Sequence, residues 1–297
     1  MPKAKKKEVL NGLSIDVEEW FHVLDVPGSP QPVNWDALPR TVERNTHKIL
    51  DILEDSHAHA TFFVLGWVAD RYGNLVREIA RRGHEVACHG DRHRLVFQQG
   101  RAGLEQDLRR ARGLLQDLAG VPVIGYRAPG FSIGPRAPWA FEVIRDVGFR
   151  YDSSLFPARR MHGGAPGARQ EPHAIELENG QTLVEFPSSV VQVGPLRVPF
   201  AGGGYLRLLP YGFIRWGLLS MNARGIPGCV YLHPREIDPA HPRIRMSWSR
   251  QFQSYVGLRS TEHKLRQLLT DFRMGRLVDV LLERKLLDAP GAALRPE

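Results

Sequence analysis

A chain of 297 residues with 42% apolar and 24% charged side chains can bury a large α/β core and is too apolar to be a disordered segment. Two cysteines, Cys88 and Cys229, exclude a disulfide framework and suit a reducing compartment, and the longest apolar runs, such as FFVLGWVA, are far too short to span a bilayer. The net charge of +8 favours anionic partners, although arginine-rich stretches such as RRARG and RRGHE fit ordinary solvated helix faces.

Residues 1–8 read as a basic tail. The opening MPKAKKKEVLNGLSID runs into carboxylates instead of an apolar h-region, which argues against a signal peptide and points to a cytoplasmic protein, peripheral at most to the inner membrane face. A first strand is predicted over 9–18 and a helix over about 36–54, where Leu38, Val42, Ile49 and Leu53 fall at helical spacing. ATFFVLG (60–66) reads as a buried strand, ADRYGNLVREIARRG as a helix stopped at Gly83, and HEVACH (84–89) as a third strand. Leu104, Leu108, Ala111, Leu115 and Leu118 define the next helix, ended by Gly120 and Pro122. VIGYRAP, PWAFEVIRDVG and FRYDSS continue as strand, helix and strand. The rhythm then breaks at about 157–204, a loop and hairpin insertion turning at Asn179-Gly180. A helix (211–225), a strand (228–233), a Pro-rich loop and a helix from about 261 to 286 follow. One domain over 9–287 is expected, with a loose tail at 288–297. Repeated β-α units imply parallel strands, whose sites gather at the C-terminal strand ends.

Those ends carry chemistry: Asp16 and Glu18, then His89 with His93, then Arg127, Asp152 and His233. An HxxxH spacing sets two imidazoles on one side of a helical turn, good geometry for a divalent metal, but the polar HGDRHR equally suits a plain loop. A carboxylate from another strand end completes a facial set of the kind that catalytic zinc and non-haem iron use. A bound cation would also explain the crowding of Asp16, Glu18 and Glu19 at the end of a buried strand. Alternation puts Asp16 and Glu18 on one face and sends Glu19 to solvent or an arginine. If the strand stops before Glu18 the alternation fails, so Glu19 stays open as the ligand.

The segments SIDVEEWFHV, HEVACHGDRH, GYRAPGFS, YDSSLFP, AGGGYLRLLPY and YLHPREIDP, in that order, resemble the polysaccharide deacetylases of carbohydrate esterase family 4, the NodB-like domain. The likeness runs from about 10 to about 285 and is nearest to the branch associated with exosortase and exopolysaccharide gene clusters. It implies an α/β fold, a distorted and incompletely closed (β/α)7 barrel. It implies one divalent metal per chain, most simply zinc, on Glu18, His89 and His93. Asp16 matches the general base and Arg127 the residue that orients it. Gly130 and Phe131 match the oxyanion donor region, and Asp152 an acid supporting the general acid His233. The reaction implied is removal of N-acetyl groups from amino sugars of a polysaccharide or its lipid-linked precursor, the latter giving a membrane-surface partner. Hydrolysis of a cyclic amide or imide, or deformylation of a lipid-linked sugar, is the alternative.

The sequence departs from the family in three places. The opening acids are spread as Asp-Val-Glu-Glu, Gly90 replaces a usual Ser or Thr after the first histidine, and Arg235 follows the HP pair where an aromatic is common. No nucleic-acid partner is expected, since the lysines cluster at one terminus only; oligomerisation is left open. Cys88 reads as a packed core thiol. Gly202-Gly203-Gly204 with Tyr205 is either a plain turn or a lip over the sugar cleft. Trp20, Phe21 and Trp248 either stack on sugar rings or pack in the core. His22, His162 and His173 have no partner legible in the sequence.

Overall fold

The computed structural model describes residues 8–24, 29–160 and 162–288. Most of the basic tail expected at 1–8 and of the tail expected at 288–297 lies outside the described residues. In chain order the elements are β1 (Asn11–Val17), α1 (Val42–Asp55), β2 (Thr61–Val64), α2 (Gly66–Arg71), α3 (Gly73–Arg81), β3 (Glu85–Cys88), α4 (Val96–Ala119), β4 (Gly125–Tyr126), α5 (Ala140–Val147), β5 (Tyr151–Asp152), β6 (His173–Glu176), β7 (Thr182–Glu185), β8 (Val190–Val193), β9 (Leu196–Pro199), α6 (Gly203–Leu208), α7 (Tyr211–Ala223), β10 (Cys229–Leu232), α8 (Trp248–Tyr255), α9 (Leu258–Asp271), β11 (Met274–Gly275) and α10 (Leu277–Glu283).

The main sheet runs β10-β1-β2-β3-β4-β5-β7-β6, with β11 also paired to β1. All of its pairings are parallel except β6 with β7, and its two end strands do not pair with each other. The result is an open barrel. Every residue of β1 is buried, as expected for a strand flanked on both sides and covered on both faces. The hairpin around Asn179-Gly180 forms, with Glu176 opposite Thr182. It is no peripheral insertion, because β7 pairs in parallel with β5 and continues the main sheet. β8 and β9 make a separate two-stranded sheet. Val190 of β8 joins Phe131, Phe156, Ala158 and Tyr231 in a small apolar cluster.

Several helices depart from their sequence reading. The helix expected before Gly83 is two, α2 and α3, separated at Tyr72. α4 begins before the Leu104–Leu118 pattern and is interrupted at Gly100, whose φ of 69° and ψ of 171° are not helical. The single helix expected at 261–286 is broken after Asp271, where Met274–Gly275 adds a strand beside β1. The helices α6 and α8 were not anticipated: one hides in a glycine-rich string, the other in a run of serines, arginines and glutamines with few apolar anchors.

Candidate metal and acid–base site

The three acids at the end of β1 each meet a different partner. Asp16, the last residue but one of β1, accepts from Arg127 Nη1 at 2.7 Å. Glu18 lies just past the strand, its N–H bonded to the Asp16 carbonyl at 3.0 Å, and its Oε2 is 2.6 Å from His93 Nε2. Glu19 turns the other way and accepts from the N–H groups of Thr41 and Val42 at 2.9–3.1 Å, capping the start of α1. The helix dipole and those donors replace the solvent or arginine expected for Glu19. Burial still pushes its carboxyl above the usual range, against these hydrogen bonds. The strand stops before Glu18, so the turn that follows, and not alternation, aims Glu18 at the histidines.

Glu18, His89 and His93 bring one ligand atom each within 4.8 Å of one another, all buried. The HxxxH pair is not helical. Residues 89–95 form a loop in which Gly90 and His93 take φ values of +80° and +51°, and it is this turn that points both rings the same way. His89 Nδ1 lies 2.8 Å from the Arg127 carbonyl, which can only accept. The proton therefore sits on Nδ1 and the Nε2 lone pair is free for a ligand role. Burial holds His89 down at about 4, so the ring is neutral near pH 7. For Glu18 burial opposes the charge, but His93, His233 and His89 outweigh it and hold the carboxyl well below its usual range. Cys88, next to His89, is fully buried, and burial pushes its thiol up, as a core thiol requires.

Arg127 is wholly buried and spends its donors on Asp16, on Ser14 Oγ (2.8 Å), and on the carbonyl and hydroxyl of Ser153 (3.1 and 2.9 Å). Its guanidinium lies over the Phe63 ring at 4.2 Å. A fully satisfied buried guanidinium fixes the rotamer of the acid beside it.

His233 ends β10 on the other side of Glu18, with Nε2 at 3.5 Å from Glu18 Oε1 and 3.9 Å from Asp16 Oδ2. Its partner is not Asp152. Glu236, one turn on in the short Pro234–Ile237 helix, puts Oε2 3.3 Å from His233 Nδ1 and accepts the His233 N–H at 3.0 Å. Glu236 is itself buried and bound by Arg207 Nε at 2.8 Å. Burial works against a charged His233, yet Glu236, Glu18 and Asp16 together raise its pKa above the ordinary value. Sequence reasoning missed Glu236 although a signal was present: Pro followed two residues later by Glu, straight after the histidine, is a helix start with its acid turned back. Asp152 instead accepts from Ser154 N and Oγ (3.1 and 2.6 Å) and shares its burial with Glu185. Ser154 Oγ in turn accepts the Ala128 N–H at 2.8 Å. Asp152 thus steadies the 128–131 loop and does not touch His233, because the chain past β5 carries it toward β7 and away from β10.

In that loop Gly130 and Phe131 have φ values of +63° and +54°. The Phe131 N–H already donates to the Ala128 carbonyl at 3.0 Å, and its ring packs on Tyr231. Gly202 is neither a free lip nor a plain turn. A Cβ there would lie 2.0 Å from the Tyr231 ring, so only glycine allows the close approach that seats Tyr231 beside His233. Tyr205 is partly exposed on α6. Trp20 and Phe21 are core residues, with Trp20 Nε1 donating to the Pro39 carbonyl at 2.8 Å, whereas Trp248 is 79% exposed. His22 has partners after all: its Nδ1 accepts the Glu19 N–H at 3.2 Å, and its ring stacks on His93 and lies 4.3 Å from that of Trp35. His173 Nδ1 pairs with the Glu171 carbonyl. A groove of about 510 Å³ opens beside His93, lined by Phe21, His22, Trp35, Arg92 and Leu95 among others.

The open parallel barrel thus brings together two histidines and a carboxylate that could hold a metal ion, beside a buried Asp16–Arg127 pair and a His233–Glu236 pair. Residues 31–151 match the polysaccharide deacetylase family, and residues 153–282 match a domain of unknown function, DUF3473. Residues 31–151 are thus similar to the polysaccharide deacetylases. It is 27% identical over 105 residues to a peptidoglycan-N-acetylglucosamine deacetylase of Bacillus cereus, covering 35% of this chain and 47% of that one. It is 26% identical over 152 residues to a peptidoglycan deacetylase of Helicobacter pylori, half of each chain. The chain thus spans about half the length of these curated relatives. A crystal structure of a Mycobacterium smegmatis protein assigned to the polysaccharide deacetylases superposes with a TM-score of 0.64 at 22% identity, covering 100% of this chain and 97% of that one, which shows the shared fold. His89, His93 and Arg127 fall in the first matched segment, His233, Glu236 and Arg207 in the second, and Asp16 and Glu18 precede both.

Proposed function

We propose that the protein is a metal-dependent N-deacetylase that hydrolyses the acetamido group of an amino sugar in a polysaccharide or its lipid-linked precursor. The observation that carries this is that His233 Nε2 lies within 3.9 Å of Asp16 and 3.5 Å of Glu18, at the edge of the Glu18–His89–His93 cluster. The donor set fits a divalent ion: Glu18, His89 and His93 each bring one buried ligand atom to within 4.8 Å of the others, and the His89 tautomer leaves Nε2 free. Two imidazoles and a carboxylate favour zinc. An ion held there would lower the pKa of a water and polarise the amide carbonyl.

The chain's own groups do the rest. Asp16, fixed by Arg127, takes the proton of the attacking water. The water oxygen bonds to the acetyl carbon, and the negative charge on the former carbonyl oxygen is met by the backbone near Gly130. When the C–N bond breaks, protonated His233 gives its proton to the leaving nitrogen. Glu236 holds the imidazole in orientation and favours its charged form. Acetate and a free amine result. The groove beside His93 is where the neighbouring sugars lie in this reading, and the cytoplasmic membrane face is where a lipid-linked substrate would be met. No helix among the described residues is long and apolar enough to cross a membrane.

Purified protein incubated with N-acetylated oligosaccharides, lipid-linked N-acetyl sugars and small cyclic amides, with and without chelator, tests the reading. Acetate release from a sugar that chelation abolishes is expected. Turnover of the cyclic amide alone, or none, would refute it.

A further inference from the structure

α8 stands apart from the rest of the surface. None of its residues is buried. Trp248 is 79% and Phe252 46% exposed, one helical turn apart, with their rings stacked at 6.0 Å and 19°. Leu208 (49%) and Tyr205 (37%) are exposed on α6, which packs against α8. An indole this bare costs free energy in water unless something covers it.

The charge around it is one-sided. Residues 239–261 contain four arginines, Arg243, Arg245, Arg250 and Arg259, and no Asp or Glu. Arg243, Arg245 and Arg259 are exposed. Aromatic side chains on a short amphipathic helix with arginines around them suit the boundary between headgroups and acyl chains, where the indole sinks and the guanidinium groups meet phosphate. A neutral sugar stacked on Trp248 would have no use for the arginines. A second copy of the chain, set face to face, would bring the same acid-free segment against itself.

We propose that α8 is a membrane-docking element that seats Trp248 and Phe252 in the interface of an anionic phospholipid bilayer, with the arginines of residues 243–259 on its headgroups. The seat is mechanically tied to the site. Arg207 of α6 donates to the carbonyls of Gln253, Ser254 and Val256 at the end of α8 while its Nε holds Glu236, the partner of His233. Docking would therefore present the acid end of the site to the membrane surface. The docking itself does not depend on the deacetylase reading, and its test needs no turnover.

The experiment is co-sedimentation of the full chain with vesicles of phosphatidylcholine, with and without phosphatidylglycerol. Binding to the anionic vesicles only is expected, weakening as salt is raised. Trp248→Ser/Phe252→Ser and Arg243→Gln/Arg245→Gln should each weaken it about ten-fold or more, with unchanged far-ultraviolet circular dichroism and melting. The anionic vesicles should shift tryptophan emission to the blue in wild type, and Trp248→Phe should lose that shift while still binding. A fourth variant, with the lysines of the KAKKK tail changed to glutamine, isolates the other basic segment. Full binding by the Trp248/Phe252 variant, or loss of binding only in the lysine variant, would overturn the proposal. So would self-association, or capture of neutral oligosaccharide, without vesicle binding.

Discussion

Glu236→Gln isolates the partner of His233, the proposed general acid. The substitution keeps size and a carbonyl oxygen for Arg207, but removes a charge 3.3 Å from His233 Nδ1. At an effective dielectric of about 20 that charge is worth about 5 kcal/mol to the imidazolium, an upper bound. Losing that charge should lower the His233 pKa, which Glu236 helps to raise. Only protonated His233 can deliver the leaving-group proton. The alkaline limb of kcat/KM must therefore move to lower pH, with the rate well below the limb near wild type. The measurement is a pH profile on an N-acetyl sugar, alongside a melt to confirm folding. Asp152→Asn is the comparison, because it removes the acid that does not touch His233; its alkaline limb should stay in place. A limb that moves in Asp152→Asn and not in Glu236→Gln would refute the assignment of the partner.

Metal content by elemental analysis should fall to background in His89→Ala and Glu18→Gln, and stay at wild-type level in Glu19→Gln, which should instead lose about 1 kcal/mol of stability with the α1 cap. Arg127→Ala should cost stability as well as rate, about 3–5 kcal/mol by denaturant titration, because it leaves Asp16 buried without its partner; a melt equal to wild type would show that Asp16 finds another counter-charge. Burial raises Glu85 from 4.5 to about 7, against hydrogen bonds from Thr61 and Tyr151. A carboxyl raised on folding contributes stability that is fully present below the unfolded pKa and lost as pH rises through the folded one, here between about 4.5 and about 7, at most about 3 kcal/mol. Glu85→Gln should flatten that slope in urea titrations across the same range. Gly202→Ala should displace the Tyr231 ring and lower kcat without removing metal.

The β/α rhythm was legible because buried parallel strands are short apolar runs and their helices repeat every three or four residues, as β1 and α4 show. The site residues were legible as chemistry at strand ends, and Asp16, Glu18, His89, His93, Arg127 and His233 do converge. What failed is what strand geometry does not determine. Alternation could not place Glu18 or Glu19 once β1 ended at Val17. A helical reading could not describe a loop that needs a left-handed His93. The acid behind His233 was sought at the end of a strand, whereas the chain supplies it three residues on, as Glu236. α8 escaped because its apolar side chains face outward and leave no buried periodicity to read.

The position of β1 also bears on how the chain is made. Its neighbours are β2, which follows soon after, β10, whose Cys229 sits opposite Gly12, and the late β11. Until the ribosome has released the last third of the chain, one side of β1 presents open hydrogen-bonding groups and a buried-type face to whatever is near. Contacts so distant in sequence are paid for in loop entropy before they return anything, which makes closure late and slow. His233 and Glu236 arrive on that same closing segment, so their pair joins the rest of the site only when the vulnerable edge is covered. A nascent or truncated chain ending before residue 229 should therefore be both inert and prone to pair with other chains along β1, and chaperone capture during synthesis should be strongest at those lengths.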